Sequence, residues 1–151
     1  MGLDLTLYCK PKSISYNDYD HHIELAYGRK TWAISDFFTE HCECEVIDDS
    51  IIYRVTKEDW DEFIYTVEPF LSYPGFMSLI ENYNNAEDEY GMIESIFRYF
   101  LDETIGCSIF SGGYYLGSAW EARAVVRWYK ANKKVQKAFE LGLDVFLERS
   151  Y

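Results

Sequence analysis

Positive charge is scarce in this chain of 151 residues: 14 lysines and arginines stand against 26 aspartates and glutamates, a formal net charge of −12. Phosphate backbones are held by cationic surface, so direct nucleic-acid binding is not expected. No apolar run reaches the length of a membrane span, and no membrane partner is expected. The opening residues carry neither the basic stretch nor the apolar core of an export signal, which makes a cytoplasmic location the expectation. Without an export signal, Cys9, Cys42, Cys44 and Cys107 read as reduced thiols and not as a disulfide framework. Prolines number only three, and neither a linker nor an internal repeat divides the sequence, so residues 1–151 are read as a single domain. Also missing are a Gly-Lys-Ser/Thr phosphate loop, a dinucleotide glycine fingerprint, a Gly-x-Ser-x-Gly elbow and a Cys-x-x-Cys knuckle. No cofactor is expected, and catalysis is less favoured than binding.

Aromatic side chains are abundant instead, with 14 Tyr, 10 Phe and 4 Trp making up 19% of the sequence. Each buries a large area, and Tyr and Trp keep a polar end that seeks a partner. They therefore fill a core or furnish a binding surface. Leu3, Leu5 and Leu7 alternate with polar neighbours, the period of a half-buried strand that Lys10-Pro11-Lys12 ends. Ile23, Ala26, Tyr27, Ala33, Ile34, Phe37 and Phe38 return at helical spacing, which predicts a helix over 23–38, weakened at Gly28. A turn or short strand is expected over 42–49, and β-branched residues predict a strand over 51–55.

Thr56, followed by Lys57, Glu58 and Asp59, marks the start of a helix running to Pro69 or Leu71. Further helix is expected from Phe76 and over 90–101, with short glycine-flanked strands or a strand and turn within 106–117. The capping box at Ser118 and Glu121 opens a last helix, which either continues through Gly142 to Phe146 or breaks there and resumes. The fold class is α+β, a few short strands with a helix-dominated C-terminal half.

Three stretches occur in a suggestive order: Met1-Gly2-Leu3-Asp4-Leu5, then Tyr27-Gly28-Arg29-Lys30-Thr31, then Gly113-Tyr114-Tyr115-Leu116-Gly117-Ser118. Together they resemble a family of small uncharacterised bacteriophage and prophage proteins. That family has a Met-Gly-Leu-Asp strand, a Tyr-x-Arg-Lys helix and a late Gly-aromatic-Gly-Ser segment. The chain departs from it at Gly28 and Leu116, where the family carries aromatics. The resemblance implies a phage accessory protein that acts in the bacterial host cytoplasm by binding a host protein, including an inhibitor of host defence. It implies no mechanism.

Two alternatives stand beside the reading that an acidic, aromatic-bearing surface binds a host protein. One is a small-molecule or nucleotide site, enzymatic or not, built from Asp4, Tyr27, Arg29, Lys30, Tyr114 and Tyr115. Its bland counterpart is an ion pair between Arg29 on a helix and Asp4 on the first strand. The other alternative is an acidic mimic of DNA. His41, Cys42 and Cys44 are the best metal candidates, but Cys-x-Cys without a second pair favours no metal. Residues 121–137 hold six bases and one acid, a segregation that allows internal pairing or self-association into a homo-oligomer.

Overall fold

The computed structural model describes residues 3–12, 22–29, 31–47, 50–71, 78 and 119–150. In chain order these form β1 (Asp4–Lys10), β2 (Ile23–Arg29), α1 (Trp32–His41), β3 (Glu43–Ile47), β4 (Ser50–Val55), α2 (Lys57–Leu71), α3 (Ala119–Lys130), α4 (Asn132–Glu140) and β5 (Asp144–Ser150). The fold is α+β. Five strands join in the order β2-β1-β5-β4-β3, and every neighbouring pair is antiparallel. No helix among the described residues is long and apolar enough to cross a membrane.

Alternation along the strands sorts the side chains between two faces. Leu5, Leu7 and Cys9 of β1, Val145 and Leu147 of β5, and Tyr53 and Val55 of β4 share one core with the helices. Register places Leu7 beside Leu147, and Leu147 beside Tyr53, so this core runs across the three central strands. The opposite face carries a smaller apolar cluster of Tyr8, Ile52 and Phe146. There Lys10 and Arg54 both lie over the Phe146 ring, at 5.2 and 5.1 Å from its centroid.

The aromatic content supplies the main core. Trp60 and Phe63 of α2 meet Phe38 of α1 at centroid distances of 6.3 and 5.3 Å, and Trp128 of α3 lies 6.3 Å from Phe38. Such ring pairs are worth about 0.5–1.5 kcal/mol each beyond the area they bury. Trp60, Phe63, Val67 and Leu71 recur at helical spacing, and α2 buries this one face.

Local signals set the helix ends. The Thr56 hydroxyl accepts the Asp59 amide at 3.1 Å, and the Asp59 carboxylate accepts the Thr56 amide at 3.1 Å, a reciprocal cap that starts α2. At the end of α4, the Gly142 amide donates to Phe139 O and the Leu143 amide to Ala138 O, both at 3.0 Å. Gly142 has φ 73°, the left-handed conformation that this closing turn demands.

Two segments differ from the sequence expectation. Ile23–Arg29 is a strand and not the first half of a helix, because its backbone pairs with β1 from Ile23–Cys9 to Arg29–Asp4. The register slips between Leu7 and Tyr8, and this irregularity breaks the alternation that would have marked 23–29 as extended. The chain after Gly142 resumes as a strand, and that strand sits at the centre of the sheet. The expected elements over 90–101 and 106–117, and the Ser118 cap, lie outside the described residues.

Candidate binding surfaces

Pairing of β1 with β2 brings together three of the six residues singled out for a small-ligand site. Asp4 stands opposite Arg29, and Thr6 stands opposite Tyr27. The Tyr27 hydroxyl donates to Asp4 Oδ1 at 2.9 Å, and Arg29 Nε lies 3.9 Å from the same oxygen. The hydrogen bond to Asp4, helped by slight burial, holds the Tyr27 phenol above its ordinary pKa and keeps it a donor. Both charged groups are open to solvent, so the ion pair contributes at most about 1 kcal/mol. Arg29 therefore forms a cross-strand pair at the end of β2, not a strand–helix pair. Lys30, Tyr114 and Tyr115 lie outside the described residues.

The three metal candidates sit in different local environments. His41 closes α1, where its ring stacks on Phe37 at 4.0 Å and its Nδ1 meets Phe37 O at 2.8 Å. Cys42 is half-buried beside Asp59, and burial followed by that carboxylate's charge and hydrogen bond pushes the thiol far above its usual range. Cys44, by contrast, is exposed on β3. Among the described residues no three His, Cys, Asp or Glu side chains converge as metal ligands.

A surface that was not singled out from the sequence lies along α2. Glu58, Glu62, Tyr65 and Glu68 are all exposed. Their spacing places them along one side of the helix, opposite the buried Trp60, Phe63 and Val67. Tyr65 is 73% exposed, an aromatic ring standing in water between carboxylates. Glu68 also accepts from the Tyr129 hydroxyl at 3.3 Å, which links the row to α3. Asp61, on the same side of the helix, is occupied internally, accepting from Lys57 and Gln136. The helical spacing after Thr56 carries the signal for this row. It is hidden by the abundance of acidic pairs elsewhere, which makes any one of them read as an ordinary solvated face.

Comparison with family models, curated proteins and solved structures finds no match. The functional reading rests on the chemistry of these surfaces.

Proposed function

We propose that this is an accessory protein of the phage type its sequence resembles, which binds a host protein in the bacterial cytoplasm through the acidic, aromatic-bearing face of α2. The observation that carries the reading is Tyr65, 73% exposed within the row of Glu58, Glu62 and Glu68. An exposed tyrosine offers a large, stiff contact area at small entropic cost, and such rings dominate binding energy when a partner covers them. The surrounding carboxylates select a partner with a basic surface, and the net charge of −12 steers it in from a distance. If the partner is a defence factor, occupying its basic surface would inhibit it. Three carboxylates interrupted by a ring suit a protein contact better than a DNA-like array, which would extend as an unbroken series of charges.

The test is capture of host protein from bacterial lysate by tagged wild type and by a Tyr65→Ala/Glu62→Lys variant, followed by titration of the purified partner. A stoichiometric partner held by wild type and lost with the variant, through binding that weakens as salt rises, supports the reading. Equal capture by the variant removes α2 from it, and absence of any partner removes the interaction function itself.

A further inference from the structure

The basic segment of the sequence acquires a concave shape in the fold. Arg127, Lys130, Ala131 and Lys134 follow the i, i+3, i+4, i+7 pattern of a single helical face. Helical phase carries across the α3–α4 junction, because the Ala131 amide donates to Arg127 O and the Val135 amide to Ala131 O, both at 3.1 Å. This face stands against Leu25, Ala26 and Tyr27 of β2, and a groove of about 380 Å³ lies between them. Trp128 Nε1 donates to Tyr27 O at 3.2 Å and fixes the helix against the strand at the groove wall. The small Ala131 side chain leaves the space between the three cations open.

We propose that this groove binds a small, multiply charged anion bearing phosphate or carboxylate groups. Its volume lies within the range of small-ligand sites. Arg127 to Lys134 spans about 10 Å along the helix axis, a length that suits several anionic groups on one molecule better than a single one. Arg127 and Lys134 pair with no carboxylate among the described residues, although acids in the chain outnumber bases by 26 to 14. In a chain so acidic, two cations of a concave site that meet no carboxylate among the described residues are available to an outside anion. The contrast with a second groove sharpens the point. That groove, of about 220 Å³, is lined by Lys12, Arg54 and Lys57, but Asp144 lies in its wall 3.8 Å from Arg54 and Asp61 takes Lys57. It supplies its own counter-charges; the groove beside β2 has no carboxylate among the described residues of its lining. Arg127 adds the planar fork that matches phosphate and carboxylate geometry, with the lysines as point charges.

The experiment is calorimetric titration of the full chain with inorganic tripolyphosphate and, separately, with citrate. Three proteins are compared: wild type, Arg127→Gln/Lys134→Gln, and Lys133→Gln/Lys137→Gln, which removes the same charge outside the groove. The expected result is saturable, one-to-one binding of at least one anion by wild type. Affinity should fall at least about tenfold in the groove variant and stay near wild type in the control. Binding of tripolyphosphate alone assigns phosphate chemistry, and binding of citrate alone assigns carboxylate chemistry. No saturable binding of either anion by wild type overturns the proposal, as does an equal loss in both variants. A Tyr65→Ala protein should bind the anion like wild type, which separates this site from the α2 surface.

Discussion

Trp60 Nε1 donates to Asn132 Oδ1 at 2.8 Å, a bond between residues 72 positions apart that ties α2 to the first residue of α4. The indole is fully buried, so its N–H has no recourse to water and needs this acceptor. Gln136, one turn later, donates to the same oxygen at 3.2 Å and to Asp61 at 2.8 Å. A short polar chain thereby sets how α4 lies against α2.

Asn132→Ala should cost about 1–3 kcal/mol in urea unfolding, since it strands the indole N–H. Adding Trp60→Phe removes the stranded donor together with part of the ring's packing. The double variant should then be less destabilised than the sum of the two single changes. Strict additivity would mean that the bond contributes nothing.

Acid stability should depend on Asp61. The Lys57 ammonium, and then Gln136, hold the Asp61 carboxyl below the ordinary carboxylate range. A carboxyl with a depressed folded-state pKa contributes stability above its unfolded value, near pH 4, and loses it as pH falls through the folded value. Asp61→Asn should therefore be less stable than wild type at pH 6 and approach it as pH falls below about 4. A difference that stays constant between pH 6 and pH 3 would contradict this.

Gly28 is a site of close approach. A Cβ there would lie 2.8 Å from Thr31 Cγ2, 3.1 Å from Thr31 Oγ1 and 3.3 Å from Trp128 Nε1. Thr31 and Trp128 are both buried, so neither can swing into solvent. Gly28→Ala should cost about 1–3 kcal/mol by overpacking. Thr31→Ser removes the nearest atom and should restore part of that loss. Thermal melts of the single and double variants check both expectations.

Thiol alkylation should follow the local environments. Cys44 is exposed, whereas burial raises the pKa of Cys9, and burial together with Asp59 raises that of Cys42. Site-resolved mass spectrometry after iodoacetamide treatment should find Cys44 modified first, with Cys42 at least about tenfold slower until the protein unfolds. Comparable native rates at Cys42 and Cys44 would show that the thiol beside Asp59 is not shielded.

Local chemistry was legible in the sequence where it acts over a few residues. The alternation of Leu3, Leu5 and Leu7 and the helix start at Thr56 both depend on near neighbours. The partnership of Asp4 with Arg29 was also expected, although its geometry was not. The α+β class follows from such signals.

Tertiary structure decided what depends on distant partners. Residues 23–29 hold apolar side chains compatible with helix or strand, and β1 settles the matter by pairing with their backbone across an irregular register. The last strand, Asp144–Ser150, lies between β1 and β4 because both pair with it, and nothing within its seven residues specifies either neighbour. The groove beside β2 likewise exists only once α3 and α4 lie against a strand some hundred residues earlier, a separation spanned by the bond from Trp128 to Tyr27, |i−j| = 101. Backbone hydrogen bonding within a helix is local, so spacing reveals it; the pairing of strands and the closure of grooves are not, and only the folded chain brings their parts together.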